Sequence, residues 1–116
     1  MTKKDSTDKL LSIITKSAED KKATDPVILD ITRKGRIIDF MVIVSGESTP
    51  HLKAIAKEIE AQVKKLGIVG TVWEGTVDSG WLIFDLGSIL VHIMSEKERK
   101  YYNLEELWGK EAVVYH

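Results

Sequence analysis

The sequence predicts an α+β domain, a two-layer sandwich in which a mixed five-stranded β-sheet carries helices mainly on one face. Five short segments rich in β-branched and aromatic residues predict the strands, and stretches with apolar residues at helical spacing lie between and around them. At 116 residues, 43% of them hydrophobic, the chain has the size of one domain with one core. We therefore expect a single domain over residues 1–116.

The first helix is predicted from a cap and an apolar stripe. Residues 1–6 are polar and are expected to be loose, and Thr7 can cap a helix that runs to about Lys22. The apolar positions of this helix are Leu10, Leu11, Ile14 and Ala18. The breaker Thr24-Asp25-Pro26 ends it, and strands follow at 27–32 and 37–44, joined by a turn at 33–36.

The second helix has signals at both ends. Ser48 or Thr49 can cap it, Pro50 suits its first turn, and Gly67 can end it. A third strand at 68–73 follows this crossover and is expected to be parallel to a neighbour, before a polar loop at 74–80.

The C-terminal third is predicted to hold a hairpin and two helical turns. The hairpin spans 81–94, and the turns begin near Ser95 and Asn103 and stop at Gly109. Residues 110–116 are expected either to be loose or to add an edge strand.

Alternation predicts an outer sheet face that mixes polar and apolar residues. If Leu86-Gly87 is a two-residue hairpin loop, the facing pairs on that face are Trp81 with His92, Ile83 with Leu90, and Asp85 with Ser88. The opposite face of this hairpin is purely apolar and is expected to lie under the helices.

The first hairpin is expected to contribute two carboxylates to the same outer face. There Asp30 would face Asp39, beside Ile28, Met41 and Ile43, while Val27, Leu29 and Ile31 would point inward. Like charges directly opposite are destabilising, so a cation should lie nearby, either from this chain or from a partner.

These positions predict a partner-binding surface, an apolar patch ringed by acids. Its expected residues are Trp81, Ile83, Asp85, Leu90, His92, Met41, Ile43, Asp39, Asp30 and Ser88. Contiguous apolar patches mark partner sites, and tryptophan is enriched at binding hot spots. The alternative is that the C-terminal turns, with Tyr101, Tyr102, Leu104, Leu107 and Trp108, fold over this face as a second core.

Composition disfavours several classes of protein. Seventeen basic and eighteen acidic residues give a net charge of −1, so direct nucleic-acid binding is disfavoured. No segment approaches the roughly 18 apolar residues of a membrane span, and the absence of cysteine fits a reducing compartment, so we expect a cytoplasmic protein.

The sequence favours a catalytic function less than a partner-binding one. Asp30, Asp39 and Asp85 could hold a divalent metal, but no phosphate-gripping element accompanies them. The turn at 45–48 carries Glu47, which repels phosphate, and the three histidines show no metal-ligand spacing. We predict no cofactor, metal or catalytic residue, and keep a metal-dependent nucleotidyltransferase as the alternative.

Three blocks of the sequence resemble a known family. They are DFMVIVSGES at 39–48, WLIFDLGSILVHIM at 81–94 and RKYYNLEELW at 99–108. In order and spacing they strongly resemble the ribosomal silencing factor (Iojap) family, with a match from about residue 8 to 109. The chain departs from the family pattern at Leu86, Ser88, Met94 and Tyr101, and Ser88 removes one negative charge from the expected patch.

The resemblance implies a nucleotidyltransferase-like fold without the catalytic motif. It also implies binding to the fourteenth protein of the large ribosomal subunit, at the face where the small subunit docks, so that subunit joining is blocked and translation falls when nutrients are scarce. A basic ribosomal protein would complement an acidic, Trp-centred face. A homodimer of the free protein, which would hide the patch, remains an alternative.

Overall fold

The structure, a computed structural model, describes residues 3–32, 38–68, 71–109 and 112–115. The expected turn at 33–36 lies outside these ranges. The elements in chain order are α1 (Lys3–Asp20), β1 (Thr24–Asp30), β2 (Phe40–Gly46), α2 (Thr49–Lys65), β3 (Val72–Thr76), β4 (Trp81–Asp85), β5 (Ile89–Ser95), α3 (Glu96–Tyr102), α4 (Leu104–Trp108) and β6 (Val113–Tyr115). Among these helices, none combines the length and the apolar character that crossing a membrane requires.

The predicted α+β class with a mixed sheet is confirmed, with six strands in place of five. The order across the sheet is β3-β4-β5-β2-β1-β6. The additional strand, β6, is antiparallel to β1, which is one of the two outcomes expected for the C-terminus.

The parallel pair in the sheet is β2 and β5, not β3 and a neighbour as predicted. The crossover through α2 carries the chain past two strand positions, so β3 forms the sheet edge and pairs antiparallel with β4. The chain then returns through β4 to β5, beside β2. The predicted loop at 74–80 is also partly wrong, because β3 continues to Thr76 and only residues 77–80 form a turn.

The two long helices agree in part with their predicted boundaries. Helix α1 begins at Lys3, so the prediction that residues 1–6 are loose is wrong for residues 3–6. The cap of α2 is as predicted: the backbone N–H of His51 donates to Oγ of Ser48 at 3.2 Å, and Pro50 lies in the first turn.

The register of β1 differs by one residue from the prediction. Asp30 pairs with Phe40 and Leu29 with Met41, and a shift of one residue moves every side chain of a strand to the other face. Ile28 therefore joins the helix-covered face, while Val27, Leu29 and Ile31 point outward. Alternation indicated the wrong face because both sets of β1 contain buried apolar residues, and Asp30, the polar residue taken as outward, is the last residue of the strand.

A buried cluster lies on each face of the sheet. Between the sheet and the helices α1 and α2, residues such as Ile55 and Ile59 of α2 and Phe84 of β4 are fully buried. The outer cluster consists of Val27, Leu29, Ile31, Met41, Ile43, Met94 and Ala112, with Leu104 and Trp108 packed against it. The C-terminal segment thus covers part of the outer face as a second core, as in the alternative arrangement, but Tyr101 and Leu107, which were expected in this cover, are 75% and 74% exposed.

Candidate protein-binding site

The β4–β5 hairpin turns through a longer loop than predicted. Trp81 faces Met94, Ile83 faces His92 and Asp85 faces Leu90, so the register is displaced by two residues. The loop closes through the backbone N–H of Leu86, which donates to the carbonyl of Ile89 at 3.0 Å. A displacement of two leaves each strand residue on its predicted face.

Side-chain chemistry explains the longer loop. Oδ1 of Asp85 accepts a hydrogen bond from the backbone N–H of Gly87 at 2.8 Å, and Gly87 has a φ of 91°. This carboxylate therefore organises the turn that follows its own strand. Ser88 lies in the loop and lines a cleft with Leu10 and Leu66 of the helical layer, so its predicted place opposite Asp85 is wrong.

The edge strand β3 extends the outer face. Cross-strand partners share a face, and Val72, Glu74 and Thr76 are the partners of Asp85, Ile83 and Trp81. Val72 is 52% exposed, and Glu74 is exposed as well. These residues were not predicted from the sequence because 74–80 was expected to be a loop, although the alternation in VWEGT is typical of a strand.

Three residues of the expected surface are buried. Met41 is 6% exposed, Ile43 0% and His92 4%. The C-terminal segment covers this half of the outer face, with Leu104 and Trp108 packed on the same cluster. The prediction that these three side chains are exposed is therefore wrong.

Trp81 lies at the border between the covered half and the open half of the outer face. Its half-buried indole donates from Nε1 to Nδ1 of His92 at 2.9 Å, and its ring lies 4.7 Å from the ring of Tyr102. Tyr101 meets Tyr102 edge-on at 4.9 Å and is 75% exposed. A row of aromatic rings thus leads from the sheet onto α3.

The imidazole of His92 is neutral at physiological pH. Burial lowers the pKa of His92 from 6.5 to about 4, because desolvation penalises the charged ring. The ring can therefore accept the indole N–H at an unprotonated Nδ1.

The carboxylates are not gathered as predicted. Asp30 pairs with Phe40 on the helix-covered side and accepts a hydrogen bond from the N–H of Thr32, while Asp85 lies on the outer face. The predicted opposition of Asp30 and Asp39 is wrong, since the backbone of Asp39 instead bonds Ile31 and Ser88. Throughout the described ranges, no three side chains of metal-ligating type come together.

A second cluster of polar contacts holds the C-terminal segment in place. Arg99 of α3 is buried, and its Nη1 donates to Oγ of Ser45 on β2 at 3.0 Å. Its other donors meet Glu105 of α4 and Asp25 of β1. Arg99 therefore joins α3 and α4 to the ends of β1 and β2.

We define the open-face patch as the accessible apolar, aromatic and acidic outer side chains of β3, β4 and β5 together with the two tyrosines of α3. Its members are Val72, Glu74, Trp81, Ile83, Asp85, Leu90, Tyr101 and Tyr102. The ionisable residues at the outer positions of β3 and β4 are both acidic, Glu74 and Asp85. An aromatic and aliphatic centre with acidic neighbours is suited to binding a basic protein surface.

The fold and the patch define a class of small α+β domain, one in which the C-terminal segment covers half of a sheet face and leaves an acidic, aromatic half open. The family model "Ribosomal silencing factor during starvation" matches residues 4–115. The chain belongs to this ribosomal silencing factor family.

Individual relatives agree with this assignment. A Bacillus subtilis protein named ribosomal silencing factor RsfS is 38% identical over 100 residues, which cover 86% of this chain and 85% of that protein. A mouse protein named for mitochondrial assembly of the ribosomal large subunit is 34% identical over 74% of this chain and 39% of its own length. A crystal structure of a Chromobacterium violaceum protein superposes with a TM-score of 0.82 at 28% identity, covering 89% of this chain and 87% of that one.

Proposed function

We propose that this protein represses translation by binding the large ribosomal subunit through its fourteenth protein and so blocking the approach of the small subunit. The repression would operate in the cytoplasm under nutrient limitation. It needs no catalysis and no cofactor, because occupying the docking surface is sufficient. Membership of the ribosomal silencing factor family supports a ribosomal target.

The observation that carries the proposal is the open-face patch. A half-buried tryptophan held by neighbouring rings is the kind of anchor that dominates binding energy at protein interfaces. Glu74 and Asp85 beside it add negative charge, which favours a basic partner such as a ribosomal protein. An interface of ordinary size buries about 800 Å² on each partner, so we expect contacts from both the outer sheet face and α3.

The contact residues we propose are a revised set. Trp81, Ile83, Asp85 and Leu90 remain from the sequence prediction, and Val72, Glu74, Tyr101 and Tyr102 join them. Met41, Ile43 and His92 would act from beneath the surface by supporting it. Asp30, Asp39 and Ser88 are left out of the proposed contact set.

Binding of the purified fourteenth large-subunit protein tests this proposal. Trp81→Ala should weaken the affinity by roughly 30-fold or more, as truncation of a central aromatic anchor does. The control is Leu66→Ala, which truncates a 37%-exposed leucine at the end of α2, in the helical layer. If Trp81→Ala stays folded and binds as tightly as the Leu66→Ala control, the open-face patch is not the binding site.

A further inference from the structure

We propose that His92 is a positioning residue for partner binding, which orients the indole of Trp81 by accepting its N–H. This inference rests on the proposed function, since it takes Trp81 as a contact residue. His92 would not touch the partner itself, because only 4% of it is exposed.

The contact is a diagonal one across the hairpin. The direct cross-strand partner of Trp81 is Met94, and that of His92 is Ile83. The indole nevertheless reaches His92, with Nε1 and Nδ1 2.9 Å apart and the two rings inclined at 46°. Tyr102 contacts the same indole at a ring distance of 4.7 Å, so a hydrogen bond and a ring contact together limit its rotamers.

The state of the imidazole points to a dedicated acceptor. Because Nδ1 accepts the indole N–H, the neutral ring carries its proton on Nε2. In the described part of the chain, Nε2 of His92 is buried and has no hydrogen-bond partner. A buried, unpaired N–H lowers stability, so an apolar residue would serve better at position 92 if filling space were the only requirement. The need for an acceptor of the Trp81 indole N–H explains why a histidine occupies position 92.

The consequence for binding is an indole that is ordered in advance. With its N–H turned toward the protein interior, the indole offers carbon atoms and an aromatic face to a partner, and no hydrogen-bond donor. Fixing the ring before the encounter lowers the entropy that binding must otherwise remove. The partner surface that fits such an anchor is an apolar recess or the side of a cationic side chain, not an acceptor group.

Three variants test the inference against the isolated ribosomal protein. His92→Phe keeps a ring of similar size and removes the acceptor, and His92→Asn keeps an acceptor oxygen near the position of Nδ1. We expect His92→Phe to weaken binding about 3- to 10-fold, the factor for ordering one side chain on association, and His92→Asn to recover most of it. The NMR resonance of the Trp81 indole N–H should lose its hydrogen-bonded shift in the Phe variant and regain it in the Asn variant.

A second probe leaves His92 unchanged. Benzothienylalanine at position 81 replaces the indole N–H by sulfur at nearly the same shape, and we expect the same 3- to 10-fold weakening. If the protein with benzothienylalanine binds with unaltered affinity, the inference is overturned. It is also overturned if His92→Phe binds with unaltered affinity although the Trp81 N–H resonance shows that the hydrogen bond is lost. Trp81→Ala distinguishes failure of the proposed binding site from failure of the role of His92. If it binds normally, the proposed site is wrong, whereas if it alone weakens binding, the site stands and the role of His92 does not.

Discussion

Arg99 donates two hydrogen bonds to Glu105, from Nε to one carboxylate oxygen at 3.2 Å and from Nη2 to the other at 3.3 Å. The same guanidinium reaches Ser45, 54 residues earlier, and Asp25 at 3.5 Å. One buried side chain thereby joins α3 and α4 to the ends of β1 and β2. This arrangement makes the cover over half of the sheet face part of the folded domain.

We predict that Arg99→Met lowers the free energy of unfolding by about 2 kcal/mol, because Glu105 and Ser45 lose their partner while partly removed from water. The value is below that for a fully buried pair because Asp25 and Glu105 are partly solvated. Urea unfolding measures it. Lys100→Met, at the exposed neighbouring position, should change stability by less than about 0.5 kcal/mol, and equal effects of the two variants would contradict the role of Arg99.

Gly75 and Gly87 both have a positive φ, but only at Gly75 would an added Cβ also clash with a neighbouring strand. A Cβ on Gly75 would lie 2.2 Å from the carbonyl oxygen of Trp81, whereas one on Gly87 would meet nothing within 4 Å. Both have positive φ, so Gly87→Ala should cost about 1 kcal/mol and Gly75→Ala clearly more. Thermal unfolding of both variants checks this, and similar melting temperatures would argue against the tight β3–β4 contact.

Acid should destabilise the protein through His92. The pKa of His92 is about 4 in the folded protein and near 6.5 when unfolded, so the unfolded chain binds the extra proton first as the pH falls. The contribution of His92 to the free energy of unfolding is therefore fully present above pH 6.5, and about 3 kcal/mol of it is lost as the pH falls to 4. Urea unfolding between pH 7 and 4 should show this loss in the wild type and a shallower one in His92→Phe. Parallel profiles for the two proteins would rule it out.

The charge of Asp85 can be tested without disturbing its turn. Asp85→Asn keeps an oxygen for the N–H of Gly87 and removes the negative charge. It should weaken binding of the ribosomal protein at low salt and much less at high salt, since screening reduces charge complementarity. Asp85→Lys should show a larger effect in the same direction. Asp20→Asn, exposed at the end of α1, is the charge-matched control, and a loss that is insensitive to salt would point to packing instead.

Alternation predicted the outward direction of Trp81 and Asp85 correctly even though the pairing was displaced, because a displacement of two residues preserves the face. In β1 alternation indicated the wrong face, because the outer face there is also a core and Asp30, taken as the outward polar residue, lies at the end of the strand. Local pattern therefore specifies a face only where one side of the strand is polar.

The cover itself depends on contacts between distant parts of the chain. The Arg99–Ser45 hydrogen bond and the packing of Trp108 on the outer cluster join residues whose proximity no local spacing encodes. The sequence therefore predicted that Trp81 and Asp85 lie on the outer face, but not which half of that face stays open. The tyrosines of α3 were predicted only as part of a cover, and they instead extend the open-face patch.

Light scattering of mixed ribosomal subunits measures directly whether the protein blocks subunit joining through Trp81. Purified small and large subunits are mixed after the large subunit has been incubated with the wild-type protein, with Trp81→Ala, or with the Leu66→Ala control. We predict that the wild type and the control lower the extent of joining and that the folded Trp81→Ala variant does so only at much higher concentration. Joining that proceeds normally in the presence of saturating wild-type protein would contradict it.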